Sequence, residues 1–145
     1  MKRAPIPTIV HPLYPELRVL LRDQKIRGIT VPRGFVWDGA SIPGVIRPWM
    51  GDPFEGPNRD AGLLHDYLYA TCHIPRGQSD ELFHRELLDD GDARYEAYLK
   101  WAAVRVAGGP HYGAKREWSK FVDEPTLKAW ETRVPMEPLP LFGAP

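Results

Sequence analysis

The sequence predicts a mainly α domain with a small β-hairpin, an α+β fold built on two antiparallel core helices. Apolar residues recur at helical spacing in three segments: 60–71, 80–89 and 93–107. Two short stretches rich in β-branched residues, 17–22 and 25–31, precede them and predict the hairpin. The 16 prolines are about twice the usual frequency. They concentrate at the two ends and in the loop 32–57, which predicts irregular arms around a compact middle.

We divide the chain into an extended N-terminal arm (1–16), a core domain (17–113) and a proline-rich tail (114–145). Prolines in the arm block helix and interior strand alike, and His11 is expected to be exposed there. Asp23-Gln24 is the predicted break between the hairpin strands. The tail carries a short predicted helix, Pro125–Arg133.

The third predicted helix and the tail each contain a further set of apolar residues. The third helix has five residues at helical spacing: Tyr95, Tyr98, Leu99, Ala102 and Val106. The tail beyond its short helix is too apolar for a solvated linker, because it contains Met136, Leu139, Leu141 and Phe142. We expect the tail to dock on its own domain or on a neighbouring subunit.

Composition excludes several classes of protein. At 145 residues and 43% hydrophobic, the chain has enough apolar residues for one domain with a real core. Its 19 basic and 19 acidic residues balance, so no basic field exists to bind a nucleic acid. The single cysteine, Cys72, excludes an intrachain disulfide and favours the cytosol, or assembly into a particle from it. We expect neither a signal peptide nor a transmembrane segment, because no apolar run is long enough.

The central helix carries an adjacent His-Asp pair, His65-Asp66, within the stretch Ala61–Tyr69. The apolar residues of this stretch spread around most of the helix surface, which predicts a buried helix. A carboxylate or an imidazole inside a protein needs a partner, a metal ion or a shifted pKa. The pair is therefore the predicted centre of the chemistry.

One interpretation makes the pair catalytic. Asp66 would hold a hard cation while His65 acts as general base on a water, since adjacent side chains are about 100° apart around a helix. Asp80, near the start of the antiparallel second helix, would accept from the other ring nitrogen of His65 and fix its tautomer. The turn Asp38-Gly39-Ala40-Ser41 is either an ion-binding loop or an Asx or Ser turn that caps a helix.

Two other metal sites are weighed against this one. The HD phosphohydrolases also use a His-Asp pair, but they need another histidine on a preceding helix, and only His11 in the proline-rich arm precedes His65. A zinc site is disfavoured because the chain has one cysteine and no His-x-x-x-His pair.

The order of these residues resembles the DUF1353 family, small proteins typical of tailed bacteriophages and prophages. The resemblance covers residues 17–113, including Gly109-x-x-Tyr112-Gly113, and rests on three groups of residues before that segment. These are Pro32-x-Gly34-Phe35-x-x-Asp38-x-Ala40-Ser41-Ile42-Pro43, then Ala61-x-x-x-His65-Asp66-x-x-Tyr69, then Asp80-x-x-Phe83.

A more distant resemblance is to secreted and prokaryotic phospholipases A2, which carry Ala-Cys-x-x-His-Asp-x-x-Tyr on one helix. It implies a Ca²⁺ ion held by Asp66, Asp38 and the loop residues Gly39 and Ser41. It also implies that His65 deprotonates the attacking water while Asp80 and Tyr69 support it. The metal would polarise the carbonyl and stabilise the oxyanion.

The sequence thus predicts a phage-associated protein, made in the host cytoplasm, that hydrolyses an ester or other carbonyl bond at the host envelope. The alternative is a non-enzymatic tail or baseplate component of the virion. In that case a His65–Asp80 bond, and Asp66 as a cap or as partner of Arg33, Arg47 or Arg59, would clasp the loop to the helices. The proline-rich termini would then grip other virion subunits, because extended segments lose little entropy on docking.

Overall fold

The structure is a computed structural model that describes residues 4–38 and 43–133. Within these ranges it has five strands: β1 (Thr8–Val10), β2 (Arg18–Leu20), β3 (Gln24–Ile26), β4 (Ile29–Val31) and β5 (Val36–Trp37). It also has five α-helices: α1 (Arg47–Met50), α2 (Arg59–Thr71), α3 (Arg76–Asp89), α4 (Arg94–Ala107) and α5 (Glu124–Arg133). The predicted α+β class is confirmed. No helix in the described part of the chain is both long and apolar enough to cross a membrane.

Helix α2 lies at the centre of the fold. Its residues from Ala61 to Tyr69 are all buried, as the spread of apolar residues predicted. One side packs with Leu20, Val31, Phe35 and Trp37 from the strands, and another packs against α3. Because the helix is covered on several sides, any polar group it carries must find its partner inside the protein.

Helix α3 runs antiparallel to α2, since Tyr69 and His65 of α2 contact Arg76 and Asp80 of α3 in that order. The helix begins at Arg76, a full turn before the predicted start at Asp80. Pro75 precedes its first residue, where a fixed φ favours helix initiation. Gly77 does not break it, because a glycine costs a helix only about 1 kcal/mol relative to alanine.

The predicted pairing of the strands is wrong. Strand β2 pairs with β1 and β5 in a three-stranded antiparallel sheet, and the hairpin is formed by β3 and β4 alone. Its turn is Arg27-Gly28, whose φ angles of 51° and 80° are those of a two-residue hairpin turn. Gln24, expected in the turn, lies in β3 opposite Val31. The glycine decided the position of the turn.

The N-terminal arm is packed against the domain. His11, expected to be exposed, is only 6% exposed. Its Nδ1 atom accepts hydrogen bonds from the backbone N–H groups of Leu13 and Tyr14, at 3.1 and 3.3 Å. The ring contacts Trp130 of α5. The arm can pair because β1 is an edge strand, where the neighbouring prolines cost no interior ladder bonds.

Helix α5 has nearly its predicted bounds and closes the far side of the three-stranded sheet. Leu127 is buried with Ile9, Val19 and Val36. Arg33 ties the helix to the strands through Glu124 and Glu131. Met136, Leu139, Leu141 and Phe142 lie outside the described residues, so the expected docking of the tail beyond α5 stays a prediction.

Helix α4 turns a different face to the core than its aromatic pattern indicates. Tyr95, Tyr98, Leu99 and Val106 are exposed, whereas Ala97, Lys100 and Val104 are buried. The ammonium group of Lys100, 2% exposed, donates to Asn58 Oδ1 at 2.9 Å and to Asp92 Oδ2 at 2.7 Å. With its charge neutralised, Lys100 lies on the packed face beside the small Ala97.

Candidate functional site

Asp80 is the meeting point of polar groups between α2, α3 and α4. Its Oδ1 atom lies 2.7 Å from Nε2 of His65 and accepts a hydrogen bond of 2.7 Å from the Tyr69 hydroxyl. Its Oδ2 atom accepts one of 2.7 Å from Nη1 of Arg105. The side chains of Asp80 and His65 are wholly buried. Such a carboxylate is tolerated because these donors replace the water it has lost.

The helices bring these groups together through simple spacing. His65 and Tyr69 are four residues apart on α2, so they share one face of the helix. That face meets α3, where Asp80 lies one turn beyond Arg76. The contact between His65 and Asp80, which antiparallel packing made possible in the sequence, is present.

Two arginines that the sequence analysis did not single out complete the cluster. Arg76 donates from Nε to the Tyr69 hydroxyl at 3.1 Å. Its Nη2 donates to the carbonyls of Val104 and Arg105 in the last turn of α4, at 2.7 Å each. The spacing of four residues between Arg76 and Asp80 was a readable signal. Arg105 gave none, because its approach depends on how α4 packs.

Burial and hydrogen bonding set the protonation of the cluster. Burial lowers the pKa of His65, although the bond to Asp80 opposes it, so the ring is neutral near pH 7. Burial would raise the pKa of Asp80, but bonds from His65, Tyr69 and Arg105 outweigh it and lower that pKa. Burial, then the bond to Asp80, raises the pKa of Tyr69. The cluster is therefore a carboxylate that receives hydrogen bonds from a neutral imidazole and a phenol.

Asp66 faces the loop after β5 instead of α3. Its side chain is nearly buried, with 4% of the residue exposed, and Oδ2 accepts a hydrogen bond from the backbone N–H of Asp38 at 3.2 Å. The Asp38 carboxylate lies 3.5 Å from Nε of Arg116. Asp66 and Asp38, both predicted metal ligands, are thus brought together. The other two predicted ligands, Gly39 and Ser41, lie outside the described residues.

Two of the three arginines that the clasp interpretation offers to Asp66 bind other groups. Arg33 binds Glu124 and Glu131. Arg59 binds Asp60 and also donates to the carbonyl of Ala4. Among the described contacts, Asp66 instead accepts a hydrogen bond from the backbone N–H of Asp38.

A cavity of about 20 Å³, enough for one water molecule, lies against the two aspartates. Its polar walls are Asp38, Asp66, Tyr69, His111, Arg116 and Lys120. His65 is not part of the wall. It lies behind Tyr69, with the two ring centroids 4.0 Å apart. The predicted site residues therefore form two adjoining layers, an outer one at the cavity and an inner one around Asp80.

The segment after α4 supplies the cavity wall that sequence reasoning missed. Its backbone can run this close to α2 because residue 108 is glycine. A Cβ atom there would lie 2.5 Å from the Val104 carbonyl oxygen and 2.7 Å from the Tyr69 hydroxyl. The backbone N–H of Gly113 then donates to the Tyr69 carbonyl at 2.9 Å. Gly108-Gly109-Pro110 predicts the end of the helix 93–107. Nothing in that sequence indicates that His111 lines the cavity.

A wider groove of about 440 Å³ adjoins this cavity and shares Asp38, Arg116 and Trp118 with it. Its volume is in the range of pockets that hold small molecules. Phe54 and Pro53 give it an apolar wall, and Arg47 and Glu16 add charge. The groove is the route by which a ligand from solvent would reach Asp38.

A separate acidic group lies away from this site. Carboxylate oxygens of Asp60, Glu86 and Asp90 come within 4.8 Å of one another. Arg59 binds Asp60 and Arg27 lies 3.6 Å from Glu86, so cations of the protein already balance much of this charge. We assign no metal to it.

The fold and the site define a small α+β protein with a buried His-Asp-Tyr cluster behind a two-aspartate cavity. The chain belongs to the family described as "Protein of unknown function (DUF1353)", whose model matches residues 13–104. That range contains the strands from β2 onward, the aspartates, His65 and Tyr69. It ends just before Arg105 and the segment that carries His111 and Arg116.

Two curated relatives come from Sinorhizobium fredii (strain NBRC 101917 / NGR234). The chain is 34% identical over 77 residues to "Uncharacterized protein y4iH", a match that covers 52% of this chain and 31% of that protein. It is 32% identical over 78 residues to "Uncharacterized protein y4jT", covering 54% of this chain and 23% of that protein. The chain thus spans less than a third of the length of either relative. No solved structure matches it.

Proposed function

We propose that this chain is a bacteriophage-associated hydrolase that cleaves an ester or other carbonyl bond at the host envelope with the help of Ca²⁺. The observation that carries the proposal is the buried pair of His65 Nε2 and Asp80 Oδ1 at 2.7 Å, supported by Tyr69. Membership of the family supports the phage association, because its small members are typical of tailed phages and prophages. On this proposal the protein is made in the host cytoplasm.

The inner layer would prepare His65 to accept a proton. The Asp80 carboxylate holds the hydrogen on Nε2, so Nδ1 is the atom that takes the proton from the attacking water. Tyr69 and Arg105 keep Asp80 ionised and in place. The lowered pKa of His65 keeps the ring in the neutral form that a general base requires near pH 7.

The outer layer would hold the ion. Asp38 and Asp66 bring two carboxylates to one cavity, and carboxylate oxygens are the ligands that Ca²⁺ prefers, so these residues fit the metal. Gly39 and Ser41 are the predicted further ligands. A bound Ca²⁺ would polarise the substrate carbonyl and stabilise the oxyanion. Because His65 lies behind the wall formed by Asp66 and Tyr69, catalysis requires the cavity to open toward the groove.

A second function is favoured by one observation, the hydrogen bond from the Asp38 backbone to Asp66. This bond joins the loop to α2 without any ion, as a structural clasp would. The protein would then be a non-enzymatic virion component, and its proline-rich termini would contact other tail or baseplate subunits.

The experiment that tests the hydrolase measures fatty acid release from mixed phosphatidylcholine and phosphatidylglycerol vesicles with millimolar Ca²⁺. We expect release by the natural protein and at least a ~100-fold loss in His65→Gln, since general base catalysis contributes 10²–10⁴-fold. His73→Gln is the matched control, because His73 is an exposed histidine just beyond the same helix. Chelation of Ca²⁺ should stop the reaction.

Release that persists in a folded His65→Gln variant would exclude His65 as the base. No release at all, together with a stoichiometric amount of the protein in purified virions, would favour the clasp.

A further inference from the structure

We propose that Arg116 is a built-in counter-cation of the calcium site: it neutralises Asp38 until a metal ion displaces it, and so sets the affinity of the site for Ca²⁺. This inference rests on the proposed function. Its basis is the contact of 3.5 Å between Arg116 Nε and Asp38 Oδ2 at the cavity that Asp66 also lines.

The two aspartates create the need for a cation. The bond from the Asp38 backbone to Asp66 brings two largely buried carboxylates to one small cavity. Two carboxylates that share a site with little water destabilise each other, and a neighbouring positive group offsets this repulsion. Arg116 supplies that charge from the chain itself, on the side where the groove begins.

The guanidinium of Arg116 is held weakly enough to leave. It makes one contact of 3.5 Å with a carboxylate, and the Trp118 ring lies at 6.0 Å, the outer limit of a cation–π contact. Arg33, by contrast, binds two glutamates at 3.1 and 2.9 Å. The Arg116 side chain is also 22% exposed, so water already reaches part of it, and release into solvent hydrates the rest of the guanidinium.

The groove offers the place to which Arg116 can move. Arg116 and Trp118 line both the cavity and the groove of about 440 Å³, so rotation of the side chain transfers the charge from one to the other. Lys120, the other cation of the cavity, is anchored by its bond of 3.2 Å to the Ala70 carbonyl of α2. Arg116 is therefore the cation that an incoming metal replaces, and its departure widens the cavity that covers His65.

The test is a Ca²⁺ titration of the full chain. Its readouts are the melting temperature and the calorimetric affinity for Ca²⁺, and it needs no activity measurement. We expect Arg116→Gln to melt at a lower temperature without metal and to bind Ca²⁺ about fivefold more tightly, within the usual range of coupling between two sites. Arg116→Lys keeps the charge and should bind like the natural protein. Arg116→Met keeps an unbranched side chain of similar length and is the second neutral variant if the glutamine variant does not fold.

Three controls make the outcome specific. Arg85→Gln removes the same charge from an exposed pair with Glu81 and should leave the affinity unchanged. Asp66→Asn should abolish the Ca²⁺ response, whereas Asp90→Asn, in the separate acidic group, should not. Equal affinity in Arg116→Gln and the natural protein would overturn this inference and leave the calcium site standing. If no variant with Asp66 intact responds to millimolar Ca²⁺, the calcium site and this inference both fall.

Discussion

Asp80 keeps a negative charge where water does not reach it. Its two oxygens receive hydrogen bonds from His65, Tyr69 and Arg105, and each of these donors comes from a helix other than α3. Removing one partner of such a network costs more than the network contributes, because the remaining groups stay buried without their acceptor. A single carboxylate therefore joins three helices.

Asp80→Asn should lower the free energy of unfolding by about 2–3 kcal/mol, at the lower edge of the range for a broken buried pair. The value is reduced because Arg105 is 37% exposed and water can replace part of its lost partner. Urea denaturation at pH 7 measures the change. Glu81→Gln is the control one residue away, since its exposed pair with Arg85 should contribute less than about 1 kcal/mol. Equal effects at the two positions would contradict the role of Asp80.

At the scale of elements, a glycine inside α2 and a glycine after α4 differ in the space around them. Gly62 lies inside α2, and a Cβ atom built there meets no other atom within 4 Å. A small cavity beside Gly62, Trp37 and Asn58 provides the space. Gly108 follows α4 and touches the Tyr69 hydroxyl and the Val104 carbonyl so closely that no side chain fits. The two positions should respond to the same substitution with opposite sign.

Gly62→Ala should raise the free energy of unfolding by about 0.5–1 kcal/mol, because alanine loses less backbone entropy in a helix and the added methyl meets open space. Gly108→Ala should lower it by about 1–3 kcal/mol, since the methyl group overpacks the site against backbone. Thermal and urea unfolding of the two variants give the comparison. A loss of stability in Gly62→Ala would show that the helix cannot accommodate the methyl group.

At the scale of the whole molecule, buried histidines make stability depend on pH. Burial lowers the pKa of both His65 and His11 from the ordinary value of 6.5. As the pH falls below about 6.5, the unfolded chain therefore binds protons that the folded chain does not. Stability consequently decreases with falling pH, and Asp80 adds to this loss below about pH 3.8 because its pKa is lowered as well.

We expect the free energy of unfolding to decrease from pH 7 to pH 5, with a slope of up to about 1.4 kcal/mol per pH unit for each proton taken up. The free energy of unfolding of His65→Gln should depend less steeply on pH than that of the natural protein. Adding His11→Gln should make this dependence shallower still. His84→Gln, at a partly exposed position of α3, is the matched control for the histidine-to-glutamine change itself. Denaturation at a series of pH values gives these slopes. An unchanged slope in His65→Gln would show that its imidazole is not held neutral by the fold.

The sequence by itself determined where most of the helices lie and which residues of two of them could meet. Helical spacing and terminating residues predicted α2, α4 and α5 to within a few residues, since these signals are local. For the inner layer, helices joined by a short turn pack antiparallel, which made the contact between His65 and Asp80 possible, and the resemblance to phospholipases A2 added Tyr69. The catalytic role of this layer stays a prediction.

Only the tertiary structure decided the strand pairing, the buried face of α4 and the wall of the cavity. The pattern of Tyr95 and Val106 indicated a core face, but Lys100 could turn inward because Asp92 neutralises its charge and Asn58, distant in sequence, accepts a further hydrogen bond. Arg116 likewise reaches Asp38 from 78 positions further along the chain. Such contacts depend on the three-dimensional course of the backbone, which no local pattern encodes. The sequence therefore indicated His65 and Asp80 of the inner layer, whereas the fold brought Arg76 and Arg105 to it and decided what surrounds Asp38 and Asp66.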